Sequence, residues 1–299
     1  MGSRRSRLPE LPEVEVTRRK VRRRLVGRVV ARVFTTKNSR FFATPRRTLE
    51  RELVGRRFVD LTRQGKYLLA TLDDGRRLLL HLGMTGQIFT SGAASVRLLA
   101  ATARAALRPE QQLGPFAPDV HTHLRITFRD GGPELLFRDT RKFGRVQLLT
   151  RGEPSRRLER LGDDALGLSA ARLLTATRRR RVPIKALLLD QTVTAGVGNI
   201  YADEALFRAG IRPRRRARTL SGAEAARLAE AIRQVLRRAI RTGGSSISDY
   251  VQPDGSDGRF QDERRVYGRT GEPCQVCGTP IRRVVITQRS SHYCPRCQR

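Results

Sequence analysis

Leu124-Arg-Ile-Thr-Phe128 runs into Asp130-Gly-Gly-Pro133 and returns as Glu134-Leu-Leu-Phe-Arg138. Strict alternation puts Leu124, Ile126 and Phe128 on one face of a strand, and the Gly/Pro cluster reverses the chain, so this stretch predicts an antiparallel hairpin with a buried face. Upstream, Tyr67–Leu72 and Arg77–Leu82 flank Asp73-Asp74-Gly75, a second hairpin around a turn. Strand signals hold from residue 28 to 150, interrupted by the Ala/Arg/Leu-rich Ala93–Gln112, which predicts a short helix inserted in a loop. Ahead of the strands, Val14, Thr17 or Arg18, Val21 and Leu25 recur at helical spacing over 13–27, and Gly27 can cap the end. Several antiparallel strands with one N-terminal helix predict a β-sandwich domain.

Downstream the period changes. Thr150–Arg160, with Gly152, Pro154 and many charges, reads as a linker, and helices are expected over Ser169–Thr177, Pro183–Gln191, Ile200–Arg208 and Ser221–Arg241. In the last, Ser221-x-x-Glu224 forms a capping box, Leu228, Ile232, Val235, Leu236, Ala239 and Ile240 make an apolar face, and Gly243-Gly244 stops the helix. No internal repeat is visible. The reading is an α+β chain of two domains: an extension at 1–8, a β-sandwich domain with flanking helices at 9–149, a linker at 150–162, a helical domain at 163–251 and a cysteine-bearing region at 252–299.

Lys and Arg number 61 against 28 Asp and Glu, a formal +33 over 299 residues. Only positions 20, 37, 66, 142 and 185 are Lys, so the charge is almost all Arg. Such an excess makes a polyanion the expected partner, nucleic acid first. No apolar run reaches the about 18 residues of a membrane span. Basic Met1–Arg7 leads into Leu-Pro-Glu-Leu-Pro-Glu rather than an apolar stretch, so it does not read as a secretory signal. The four cysteines all lie in the last 26 residues, so no disulfide framework braces the body and the chain reads as cytosolic and reduced.

Those cysteines form two knuckles, Cys274-x-x-Cys277 and Cys294-x-x-Cys297, with 16 residues between. Paired CxxC spacing predicts four thiolates around one tetrahedral Zn2+, and a fourth sulfur in place of water makes the metal structural. Arg282, Arg283 and Arg289 lie between the knuckles on an expected hairpin, suited to a phosphate backbone. Asn199 follows Gly196 and Gly198 at a helix start, where free backbone N–H groups also suit phosphate.

Pro9-Glu-Leu-Pro-Glu-Val-Glu15, Gln64-Gly-Lys-Tyr67, His81-Leu-Gly-Met84, Asp139-Thr-Arg-Lys-Phe-Gly144, Gly196-Val-Gly-Asn-Ile-Tyr-Ala-Asp-Glu204 and the four-cysteine finger occur in one order. That set is similar to the bacterial formamidopyrimidine-DNA glycosylase family, from Pro9 to Gln298, apart from the extension before Pro9 and a longer 93–112 segment. The resemblance implies a bifunctional glycosylase/AP lyase for oxidised purines, acting as a cytoplasmic, nucleoid-associated monomer on damaged double-stranded DNA, with no membrane and no catalytic metal. Pro9 would attack C1′, and a secondary amine there gives a cationic iminium, the electron sink for strand cleavage. Glu10 would be the acid/base at the deoxyribose ring, and Lys66 and His81 phosphate contacts beside the lesion. Asn199 would belong to a helix-two-turn-helix element assisted by Tyr201 and by finger Arg289. Met84, Arg141 and Phe143 would fill the void left by the everted base, Arg141 facing the orphaned cytosine; Lys142 stands where relatives usually carry Arg. Gly243–Gly255 resembles a loop that closes over the everted base, with Ser245, Ser246 and Tyr250 as unassigned donors.

Two other readings stand beside this one. An endonuclease VIII-like enzyme shares the fold and prefers oxidised pyrimidines, although Leu11-Pro12-Glu13 and the complete Met84/Arg141/Phe143 set favour purines. A non-catalytic DNA-binding protein results if the Pro9 amine stays blocked, because Met1–Leu8 as printed places that nitrogen in an amide. Leu8 stands where relatives have their initiator Met, and initiation there would deliver a free Pro9 amine, so Pro9 is the expected native N-terminus.

Overall fold

Residues 9–37, 40–95, 98, 114–178, 180–246 and 250–299 are described by the computed structural model. The 1–8 extension and nearly all of the expected Ala93–Gln112 helix lie outside them. Helix α1 spans Leu11–Leu25 and buries Val14, Val21 and Leu25. It starts two residues ahead of the pattern-based boundary because Pro12 sits in the first turn, where no N–H is needed. Arg22, Arg23 and Arg24 fill its last turn, the favourable end of the helix dipole for cations.

Two four-stranded antiparallel sheets follow. One has the order β1 (Val30–Thr35), β6 (Thr122–Phe128), β7 (Leu135–Asp139), β5 (Gly86–Thr90); the other is β2 (Phe58–Gln64), β3 (Tyr67–Leu72), β4 (Arg77–His81), β8 (Arg145–Leu149). Both expected hairpins are present, with Leu124 opposite Phe137 and Thr71 opposite Arg77. Leu124, Ile126, Phe128 and Phe137 from one sheet meet Phe58, Leu61, Leu68, Leu78, Leu80 and Val146 from the other in a single apolar core. Helix α1 and the short α2 (Arg46–Leu53) add Val21, Leu25, Leu49 and Leu53 to it. Strand β7 is buried along its whole length because Leu136, on its outer face, packs with Phe89 and Val251.

The second unit holds α3 (Arg156–Glu159), α4 (Ala170–Arg178), α5 (Ile184–Leu189), α6 (Asn199–Ala209) and α7 (Gly222–Arg241), with a two-residue parallel pair, β9 (Asp163–Asp164) and β10 (Thr194–Ala195). Ser221 caps α7 by accepting the Glu224 N–H, as the capping box predicts. Strands β11 (Arg282–Ile286) and β12 (Arg289–Tyr293) form the hairpin between the cysteine knuckles. The chain divides into two compact units, one running to Ser155 and taking in Gly243–Arg259, the other comprising Arg156–Thr242 and Phe260–Arg299. Gly243–Ser246 and the described residues from Tyr250 group with the sheet unit by contact, although the sequence places the helical domain's end at 251: Thr90 donates its N–H to Pro253 O at 3.2 Å, and Val251 joins the small core over β7.

Candidate active site and zinc centre

In the sheet unit, Pro9 is buried at the head of α1 and Glu10 is only 3% exposed. The Glu13 carboxylate takes the Glu10 N–H on one oxygen and the Ser245 N–H on the other, both at 2.8 Å. Tyr250 donates its hydroxyl to Glu13 O at 3.3 Å; burial and the nearby Glu13 charge push that hydroxyl's pKa well above its ordinary value, so it stays a donor. The returning segment is thus tied to the turn that carries Pro9 and Glu10. Among the described residues Ser245 Oγ is buried without a hydrogen-bond partner, and Ser246 Oγ accepts the Gly258 N–H at 2.8 Å. Glu13, which from sequence looks like an ordinary acid in a helix's first turn, is the residue sequence reasoning left without a role; its signals are its place in the Pro9–Glu15 motif and its distance of three residues from Glu10.

Lys66 occupies the β2–β3 turn beside Tyr67, and Tyr67 pairs across the sheet with His81. Their rings lie 4.6 Å apart, and His81 Nδ1 accepts the Gly83 N–H at 3.2 Å. Met84 follows in the β4–β5 turn. The 140–144 loop lies against that turn: a Cβ on Gly83, itself at φ +62°, would stand 2.4 Å from the Phe143 carbonyl carbon. Phe143 is 52% exposed although large and apolar, and the Arg141 guanidinium lies 4.9 Å from its ring centre. Met84, Arg141 and Phe143 are brought together on adjoining turns.

In the helical unit, Asn199 is the first residue of α6 and Gly198 its N-cap. Asn199 Nδ2 lies 3.4 Å from Tyr267 Oη while its Oδ1 is buried with no partner among the described residues. Turning the amide lets the Tyr267 hydroxyl donate to Oδ1 and leaves Nδ2, with the helix's first N–H groups, for an anion. Tyr201 is 1% exposed and packs its ring 5.2 Å from Phe260, so the main chain of that first turn is what it can offer a phosphate. Arg289 opens β12, exposed, after a two-residue turn in which Thr287 and Gln288 both adopt positive φ, 44° and 61°.

Buried polar groups hold this arrangement. Lys185 and Asp203 are both fully buried; Lys185 Nζ lies 2.7 Å from Asp203 Oδ1 and donates to Ser290 O at 2.8 Å. Asp203 Oδ2 accepts the His292 N–H at 2.8 Å, fixing β12 to α6. Glu204 accepts three backbone N–H groups, from Arg265, Val266 and Tyr267, and burial still pushes its carboxyl above the ordinary range. Asp203 and Glu204 stand in a quoted motif, but nothing local distinguishes them from surface acids.

The four cysteine sulfurs lie within 4.8 Å of one another. Burial and adjacent thiols push Cys297 up, and burial raises Cys294. So crowded a set cannot ionise together without a cation at its centre, and four soft donors at this separation fit Zn2+ with no open position. The zinc is structural: the knuckles and hairpin share one small apolar cluster of Val266, Ile281 and the thiols.

A proline-headed β-sandwich, a helix-two-turn-helix element and a four-thiolate finger define a class of base-excision DNA glycosylases. Family models match in the same order: the formamidopyrimidine-DNA glycosylase N-terminal domain over residues 8–146, its H2TH domain over 161–251, and the zinc finger found in FPG and IleRS over 271–299. The chain is 42% identical over 293 residues to the formamidopyrimidine-DNA glycosylase of Solibacter usitatus, covering 98% of this chain and all of that one. The Halorhodospira halophila enzyme is 44% identical over 296 residues with the same coverage. Among solved structures, MutM (Fpg) of Thermus thermophilus superposes with a TM-score of 0.79 at 39% identity, covering 97% of this chain and 98% of that one. Lactococcus lactis Fpg bound to abasic-site DNA gives a TM-score of 0.81 at 32% identity, covering 97% and 99%. The chain belongs to the formamidopyrimidine-DNA glycosylase family.

Proposed function

We propose that this chain is a bifunctional DNA glycosylase/AP lyase that removes 8-oxoguanine and formamidopyrimidines from damaged duplex DNA, as a cytoplasmic, nucleoid-associated monomer. The observation that carries the reading is the head of α1, where Pro9 and the 3%-exposed Glu10 are bound through Glu13 to the returning segment. The Pro9 nitrogen pair attacks C1′ as the bond to the base breaks, and the proline N–H proton leaves with the departing base. Glu10 protonates the ring oxygen as the sugar opens, leaving a cationic iminium. That cation acidifies C2′, so a proton is lost there and the 3′ phosphate leaves, followed by the 5′ phosphate.

The everted base meets the segment after α7, where the buried Ser245 hydroxyl, without a partner among the described residues, supplies a hydrogen bond. Eversion costs a few kcal/mol, which insertion of Met84 and Phe143 and the Arg141 contact to the opposite base offset. Lys66 and His81 hold phosphates beside the lesion, and Asn199, the Tyr201 main chain and Arg289 hold phosphates on the helical unit.

The test is borohydride trapping on an 8-oxoguanine duplex, with peptide mapping of the adduct, for a chain whose first residue is Pro9. An adduct on Pro9, absent when Leu8 still precedes it, is expected. An adduct through Lys66, or trapping by the extended chain, overturns the assignment. Faster excision of thymine glycol than of 8-oxoguanine would favour the endonuclease VIII-like reading.

A further inference from the structure

We infer that Asp139 is a positioning residue that locks the Met84 turn and the Arg141–Phe143 loop into one wedge, and so sets discrimination of the base opposite the lesion. The inference rests on the void-filling roles given above. Asp139 ends β7 with no exposed surface. Among the described residues no Lys or Arg forms an ion pair with it. Its acceptor capacity is spent on the two turns instead. One carboxylate oxygen accepts the Thr85 hydroxyl and the Arg141 N–H, the latter at 3.2 Å; the other accepts the Gly144 N–H at 2.6 Å. Thr85 Oγ also lies 3.2 Å from the Arg141 N–H, so the donor beside Met84 and the donor of Arg141 share one acceptor group.

The backbone reinforces this lock. Lys142, between the two wedge residues of the loop, holds a positive φ of 60°, and Gly83 lets the Phe143 carbonyl approach where any side chain would collide. A Cβ on Gly144 would lie 2.8 Å from the Phe41 ring and 3.0 Å from Asp139 Oδ2. From behind, His123 Nε2 contacts Asp139 O at 3.0 Å, and Thr36 Oγ contacts His123 Nδ1 at 2.7 Å.

A buried carboxylate with no cation beside it is expensive, and apolar residues would fill the same space more cheaply. Three donors converging on it from two separate turns give a reason to keep it. Met84 comes from the β4–β5 turn and Arg141 and Phe143 from the β7–β8 turn. Pressed into a base stack independently, each turn would yield; tied through Asp139 they advance as one rigid body. Arg141 can read the opposite base only if its main chain is fixed relative to Met84 and Phe143, because a displacement of about 1 Å is enough to lose a directional contact.

The experiment compares Thr85→Val, Thr85→Ser and Asp139→Asn with the parent chain in single-turnover excision of 8-oxoguanine opposite each of the four bases. Valine keeps the shape of threonine and removes the hydroxyl. For Thr85→Val the excision preference among opposite bases should narrow about tenfold, while processing of a preformed abasic site, which has no base to evert, changes less than about twofold. Serine restores the hydroxyl and should restore the preference. Asp139→Asn, whose amide has one acceptor oxygen and so cannot serve both the Thr85/Arg141 pair and the Gly144 N–H, should act in the same direction and more strongly. A 2-aminopurine placed beside the lesion reports unstacking directly, and its fluorescence rise should slow in Thr85→Val and recover in Thr85→Ser. Arg141→Ala and Phe143→Ala test the wedge reading itself. If these two leave the preference unchanged, the void-filling roles are wrong. If they narrow it while Thr85→Val and Asp139→Asn do not, or if excision and abasic-site processing fall together and serine fails to rescue, Asp139 is not the positioning residue.

Discussion

Replacing Lys185 with Met removes a charge from a site where neither partner touches water. Lys185 Nζ stands 2.7 Å from Asp203 Oδ1, and both side chains are fully buried. At an effective dielectric of about 20 the gross attraction at that separation is about 6 kcal/mol, against which both groups lose their hydration. Methionine nearly matches the lysine stem in volume, so the cavity contribution is small and the loss comes from Asp203, stripped of the ammonium and left with the His292 main-chain N–H and imidazole Nδ1. Removing one partner of a buried pair costs about 3–5 kcal/mol, and that is the destabilisation expected for the helical unit. Urea unfolding followed by probes in residues 156–242 and 260–299 measures it, because these residues form their own compact unit. The Lys185→Met/Asp203→Asn double variant should lose less than the sum of the single losses by at least about 1 kcal/mol. A single-variant loss under about 1 kcal/mol, or strict additivity, would refute the reasoning.

Further outcomes follow from the same structure. Cys277→Ser, or a strong chelator, should remove the one zinc per chain and abolish DNA binding while the sheet unit stays folded; metal analysis with circular dichroism checks both, and active protein without zinc contradicts the site. For Glu15, burial pushes the carboxyl up, but Arg18, Arg19 and Arg63 outweigh it and hold it at about 2, below its ordinary 4.5. That stability is fully present above pH 4.5 and is lost as pH falls from 4.5 toward 2, so Glu15→Gln should flatten the acid limb of a stability–pH curve and an unchanged limb would count against the cluster. Lys66→Ala should weaken lesion processing opposite every base, whereas Arg141→Ala should blunt discrimination among opposite bases. DNA affinity should fall steeply with salt, and a log K against log [salt] slope near zero would contradict a phosphate-dominated interface.

Local pattern was enough for much of this molecule, because the signals concerned are short-range. The alternation at Leu124–Phe128 marks a strand with one buried face wherever that strand finally lies. Ser221 and Glu224 cap a helix through contacts three residues apart, and two CxxC knuckles carry their metal geometry in their spacing. Only the tertiary structure decided which distant groups share a hydrogen bond. Glu13 reaches Ser245 across 232 residues, Lys185 reaches Ser290 across 105, and Thr85 reaches Asp139 across 54. Acids such as Glu13, Asp139 and Asp203 look in sequence like solvated charges. Burial makes each one choose particular donors, and burial depends on the packing of the whole unit. The return of residues 243–259 to the sheets has the same origin: Val251 has no periodic partners of its own, and its burial beside Leu136 and Phe89 exists only once β7 and β5 are paired.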